Sequence, residues 1–272
     1  MIAMCLIREQ PHYRRDAFVH GLRRAGYTLV DHGRPSAPTD LLVIWNRYGH
    51  FESMADRWEQ QGGSVLVAEN GYIGKDTNGH QLYALAMHGH NGSGWWPTGD
   101  ASRWNKLGVP IQEWVSRTDG YALVCGQRGI GSRQMASPTN WHYNVGSKWT
   151  FCPVKLRLHP GNKPDPTAPR LEDDLKGARY CVIWSSGSGV KSLIAGVPVI
   201  YDAPHWICED AAVPLRGFRA GTFEMPSPDA LSELRQTALE RMAWAQWTIA
   251  ELESGLPFTL FRDAAQTGEV SW

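Results

Sequence analysis

Short apolar runs alternate with longer amphipathic stretches along most of this chain, and that alternation limits its fold more than any other feature. Residues 2–7, 27–30, 41–45 and 64–68 read as strands. Residues 14–25 and 51–61 read as helices, closed by Gly26 and by Gly62-Gly63. Strands separated by helices of this length imply a parallel sheet covered by helices. From Asn70 to Lys106 the pattern breaks into Gly, His, Asn and Trp and reads as loops. A second alternating set follows, with strands at 121–125, 155–158, 180–184 and 197–201, short helices at 172–178 and 188–195, and a long helix at 228–254. The expected class is α/β, as two Rossmann-like domains: residues 1–116, and 117–250 with a C-terminal helix of about 250–272 packing back on the first domain.

Composition narrows the function. Lys+Arg and Asp+Glu are both 27, so no global field recruits an anionic partner. Five cysteines with no CxxC spacing read as buried free thiols in a reducing compartment. The start, MIAMCLIREQ, has no basic region ahead of a long apolar run, and no stretch is long and apolar enough to span a bilayer. The expected location is therefore the cytoplasm. Thirteen tryptophans are unusual, because that side chain stacks on sugars and bases as well as filling cores.

The chemistry concentrates at strand ends. In VIWSSGSGVKSLIAGVPVI an apolar run stops at Ser185-Ser186-Gly187-Ser188-Gly189 and then resumes as a helix. Small residues there let backbone N–H groups and a helix N-terminus approach a phosphate. The alternative is a serine-capped turn that binds nothing. The motif is neither GxGxxG nor a Walker loop. KLRLHPG ends a strand in His159-Pro160-Gly161, and YALVCGQRGIGS ends one in a turn with Arg128, Gly129, Gly131 and Ser132. Together these describe a site for a phosphorylated, nucleotide-bearing ligand, with Glu209 or Asp210 as candidates for its ribose. In the first half, SVLVAENG places Glu69 after a buried strand, where a carboxylate can accept a proton from a hydroxyl. His88 and His90, with Trp95 and Trp96, are expected to line an acceptor pocket. No third ligand completes a metal site with the HxH.

These residues resemble two-Rossmann-domain (GT-B) glycosyltransferases, whose domains face across a cleft. The motifs are similar to the acidic-Gly, HP and double-serine motifs of bacterial sialyltransferases and capsule-sugar transferases. Here they are Glu69-Asn70-Gly71, His159-Pro160 and Ser185-Ser186. Asn70 stands where that family has a second acid. The resemblance implies that Glu69 deprotonates the acceptor hydroxyl while the other two motifs hold the nucleotide phosphate. It implies a nucleotide-sugar co-substrate with no further cofactor, and because two cationic or donor groups plus a helix N-terminus can replace a divalent ion, no metal is expected. The tail WAQWTIAELESG is similar to transferases encoded by bacteriophages. That setting implies the host cytoplasm and a hydroxymethylated pyrimidine in DNA as acceptor. Arg14, Arg15, Arg23, Arg24, Arg34, Arg47, Arg103 and Lys106 would then contact phosphates, and Trp95, Trp96 and Trp104 would stack on an extruded base. The other readings are a transferase for surface polysaccharide or small glycans, a sugar-nucleotide epimerase, and a non-catalytic nucleotide-sugar-binding module.

Overall fold

The computed structural model describes residues 1–115, 117–161, 166–219 and 228–270, with side chains from 232 onward in the last segment. The expected domain boundary at 116 and the last two residues of the expected 250–272 helix lie outside the described residues. The chain divides into two units. One comprises Met1–Gly108, Gly131–Arg133 and Arg241–Trp272, and the other Val109–Ile130 and Gln134–Glu240.

The first unit is built on six strands: β1 (Ile2–Cys5), β2 (Thr28–Leu29), β3 (Leu41–Trp45), β4 (Ser64–Lys75), β5 (Gln81–Met87) and β11 (Gln246–Thr248), in the order β11-β5-β4-β3-β1-β2. β1 to β4 are parallel, as the alternation demanded; β5 runs antiparallel to both β4 and β11. Helices α1 (Arg15–Arg24), α2 (His50–Gln60) and α3 (Ser102–Leu107) belong to this unit, as do α9 (Ile249–Ser254) and α10 (Leu256–Thr267). On one face, Ala55 and Trp58 of α2 pack on Leu42, Ile44, Val65 and Val67. On α1, Phe18 lies edge-on to Tyr83 and tilted against Phe258 of α10. Gly21 lets α9 in: a Cβ there would meet the Leu252 carbonyl oxygen at 1.9 Å.

Two expectations fail here. The stretch 70–106 is not a set of loops, because β4 continues to Lys75 and turns back as β5. Asp76 closes that hairpin by accepting the His80 N–H at 2.8 Å, and β5 is buried along nearly its whole length. The expected helix at 228–254 is also interrupted. α8 (Pro228–Ala243) stops, and Gln246–Thr248 joins the sheet as β11. The Arg103 guanidinium holds that break. It lies 3.9 Å over the Trp247 ring and donates to the carbonyls of Ala243 and Gln246.

The second unit carries a five-stranded, wholly parallel sheet: β6 (Tyr121–Cys125), β7 (Val154–Arg157), β8 (Ala178–Ile183), β9 (Val199–Tyr201) and β10 (Val213–Pro214), in the order β10-β9-β8-β6-β7. Helices α4 (Trp141–Ser147), α5 (Leu171–Leu175), α6 (Gly187–Ile194) and α7 (Leu215–Arg219) accompany it. Ala122, Val124, Val182 and Ile200 meet Trp141, Val145 and Trp149 in its core. All five cysteines are free, and all but the half-buried Cys152 are buried. The acids of α5 occupy its first turn, where the helix dipole favours them. Asp174, 3% exposed, pairs there with Lys155 and Arg157.

The candidate active-site residues

The order of the second sheet creates a topological switch. After β6 the chain goes to one side to form β7 and then to the other to form β8. The two departing connections open a crevice at the carboxyl ends of β6 and β8, the ligand-binding position of open α/β sheets. Gln127 leaves β6 there and Ser185 leaves β8. Gln127 Oε1 accepts the Ser185 N–H at 2.7 Å, and its Nε2 donates to Ser185 Oγ at 3.4 Å. Ser185 is 4% exposed, so its hydroxyl serves the turn.

Each small residue of the 185–189 stretch has its own task. Ser186 caps α6, its Oγ accepting the Ser188 N–H at 3.2 Å. The N–H groups of Ser186 and Gly187 carry no protein hydrogen bond among the described residues, and they sit at the positive end of the helix. Ser188 Oγ is sealed from solvent, beside the buried Cys125 thiol. Gly189 is required by packing, since a Cβ would meet Ile183 Cδ1 at 2.5 Å and the Trp206 ring at 2.6 Å.

At the end of β7, His159 Nδ1 accepts the Gly161 N–H at 2.9 Å. That bond leaves the proton of the neutral ring on Nε2, free to donate. His159 is exposed by area, as is Pro160. Enough protein surrounds the ring for desolvation, and then the Arg128 guanidinium, to lower its pKa below the ordinary histidine value. The Arg128 turn itself divides. Gly129, at φ +67°, stays in the second unit. Gly131 and Ser132 belong to the first unit, where the next residue, Arg133, donates its N–H to Glu52 at 2.8 Å. Glu209 closes its own turn just before β10, accepting the Trp206 N–H at 3.3 Å. Sequence reasoning missed Gln127, and also His142, whose ring lies against Gly126 with Nε2 buried and unpartnered among the described residues.

In the first unit, Glu69 is not beyond the end of a strand but inside β4, paired with Ala84 of β5. It is the first residue past the last β3 pair, Trp45 with Ala68, so it still marks the carboxyl edge of the parallel part of the sheet. Its Oε1 accepts the Tyr72 hydroxyl at 2.6 Å. The carboxylate is half-buried, and Oε2 has no hydrogen bond among the described residues.

The expected acceptor residues are largely built into the protein. His88 Nδ1 lies 2.9 Å from Glu59 Oε1, inside a cluster where Arg47 holds both oxygens of Glu59 at 2.6 Å and Asp56 at 2.7 Å. His90 is buried within its own turn, Trp96 is buried, and Trp95 packs edge-on to Phe261. Five of the eight cations expected on DNA are paired with acids, Arg47 among them, while Arg23, Arg24 and Arg34 are exposed. Arg14 pairs with Asp16 and Glu253, Arg15 with Glu9, and Arg103 and Lys106 with Glu251. Trp104 is buried.

Among the described residues no helix is long and apolar enough to cross a membrane, and no group of three His, Cys, Asp or Glu could hold a metal ion. No protein-family model matches the sequence, and no curated protein does. Among solved structures the chain is similar to the KpsC beta Kdo 2,7 transferase of Thermosulfurimonas dismutans. The identity is 11%, with a TM-score of 0.56 over 94% of this chain and 98% of that one. The KpsC beta Kdo 2,4 transferase of the same organism also matches, at 12% identity and a TM-score of 0.46, over 75% of this chain and 80% of that one. Neither is described as a sialyltransferase or a phage enzyme. The likeness to the first is one of fold, a two-unit α/β architecture.

Proposed function

We propose that this protein is a glycosyltransferase that moves a sugar from a nucleotide-sugar donor to an acceptor hydroxyl. One observation carries the reading. It is the topological switch of the parallel sheet at β6 and β8, where β8 ends at the open amides of Ser186 and Gly187; His159, with its Nε2–H and Arg128 beside it, follows the neighbouring β7 and supports the reading. Departure of a nucleotide phosphate builds negative charge, and preorganised donors in such a place stabilise it. Glu69 is the base. Its Oε2 takes the acceptor proton as the hydroxyl oxygen attacks the anomeric carbon and the bond to the donor phosphate breaks. Arg128, His159 and the helix terminus take the part a divalent ion would play, so transfer is expected to continue in EDTA.

The acceptor is a glycan in this reading. A DNA duplex demands unpaired cations along its phosphates. Five of the eight expected cations, Arg14, Arg15, Arg47, Arg103 and Lys106, are paired with acids instead, and two of the three tryptophans meant for base stacking are buried. The similar solved structure, a Kdo transferase by name, agrees with sugar transfer.

Incubating the protein with UDP-, GDP-, TDP- and CMP-linked sugars while following its melting temperature tests the donor reading, because a bound ligand stabilises the folded state. One donor class is expected to raise the melting temperature and to be consumed in a glycan-dependent manner. A shift without consumption would favour the non-catalytic module, and no shift with any donor would overturn the proposal.

A further inference from the structure

We infer that Tyr72 is the positioning residue for Glu69, fixing one carboxylate oxygen so that the other meets the acceptor hydroxyl; this rests on the transferase reading above. Two hydrogen bonds meet at the Tyr72 oxygen. The Asn91 N–H reaches it at 3.0 Å, and Glu69 Oε1 lies 2.6 Å away. A backbone N–H can only donate, so the phenol oxygen accepts from Asn91. An ionised carboxylate can only accept, so the phenol proton goes to Glu69. Hydrogen-bond chemistry alone therefore fixes the polarity of the chain Asn91 N–H, Tyr72 O–H, Glu69 Oε1. A short O–H to carboxylate bond belongs to the stronger class.

The arrangement is anchored from behind. Tyr72 is 7% exposed and Asn91 8%. Asn91 sits at φ +53° in the turn after β5, and His88, at φ +68°, begins that turn. His88 is tied through Nδ1 to Glu59, which Arg47 grips with both arms. Farther along, Ser93 Oγ donates to the His90 carbonyl at 2.8 Å. Two non-glycine residues in the left-handed region cost free energy that the surroundings must supply. What this turn delivers at its buried tip is an amide aimed at the oxygen that orients Glu69. His88 and His90, expected to touch the acceptor, are parts of this turn.

Proton NMR of the wild-type protein at low temperature is expected to show a downfield phenolic proton that moves upfield in Glu69→Gln, where the acceptor loses its charge. This readout needs no turnover and no folded Tyr72 variant. With the donor that gives the thermal shift, Tyr72→Phe is expected to lower kcat about 10- to 100-fold, the cost of a misplaced group, with donor affinity unchanged. Glu69→Gln is expected to lower it further. A phenolic proton that is missing in the wild type or unmoved in Glu69→Gln, or a Tyr72→Phe protein of wild-type kcat, overturns the Tyr72 assignment and leaves the transferase reading standing. Wild-type protein that transfers from no donor overturns both.

Discussion

Gln127 and Ser185 clasp one another across the switch point of the second sheet, Gln127 Oε1 taking the Ser185 N–H at 2.7 Å while its amide reaches Ser185 Oγ. The clasp joins the two strand ends between which a donor phosphate would lie. Gln127→Glu is expected to keep it, because a carboxylate still accepts the N–H and the serine hydroxyl can reverse to donate. The new charge would face the phosphate. Stability within about 1 kcal/mol of wild type and donor binding weakened at least about tenfold, or roughly 1.4 kcal/mol, is the expected pair, measured by denaturant unfolding and calorimetry. Equal donor affinity in the variant would place the phosphate elsewhere.

Gly189 separates packing from ligand approach within the small-residue stretch. Gly189→Ala would push a methyl into Ile183 and the Trp206 ring. Ile183 can swing aside, but the indole, 1% exposed, cannot. A loss of about 1–3 kcal/mol in stability is expected, with donor affinity, measured at a temperature where the variant is folded, little changed. A variant of wild-type stability that fails to bind donor would return this glycine to the phosphate cradle.

His159 predicts a pH dependence of donor binding. Desolvation and Arg128 lower its pKa in the free protein, so the ring is neutral at pH 7. A bound phosphate favours the protonated ring and raises that pKa. Binding near neutral pH therefore takes up protons, and affinity grows as pH falls toward the lowered value and levels off below it. Calorimetry with a nucleoside diphosphate sugar, whose phosphates do not titrate in this range, is expected to show that slope. His159→Gln, which keeps a donor N–H, is expected to flatten it.

Legibility in the sequence followed how local each cause was. Leu41–Trp45 and Tyr121–Cys125 read to the residue, because a buried parallel strand is a short apolar run bounded by turn residues. β5 did not. Its apolar run is embedded in Gly, His and Asn, and its identity as a strand comes from pairing with β4 and β11. β11 was hidden in an alanine-rich segment that reads as helix; Arg103, far away in sequence, ends the helix and seats Trp247. Glu69, His159 and Ser186 stood out in the sequence only as candidates, because strand ends carry chemistry in such folds, and Glu69 proved to lie inside β4. Gln127 and Tyr72 could not, since each matters only through the group it holds. The ion pairs of Arg14, Arg15, Arg47 and Arg103 were not legible for the converse reason: a cation in a sequence gives no sign of the acid that will neutralise it.

Glu251 ties the C-terminal segment to the first unit, and its charge is what acid should remove. It completes a capping box with Thr248 and takes ion pairs from Arg103 and Lys106. Desolvation pushes its pKa up. The Lys106 hydrogen bond, the Thr248 N–H and Arg103 outweigh that and bring it from 4.5 to about 2. The folded-state value is the lower one, so the folded protein gives up its advantage on protonation. The stabilisation is fully present above about pH 4.5 and is lost as pH falls from there through about 2. Its size is of order 3 kcal/mol. Glu251→Gln keeps the shape but removes the charge, leaving Arg103 only 11% exposed and without its counterion. Unfolding measured at pH 7 and again at pH 3 is expected to show a large gap between wild type and variant at the higher pH and a smaller one at the lower. Curves that run parallel across that window would mean that the carboxylate charge contributes nothing to holding β11 and α9 in place.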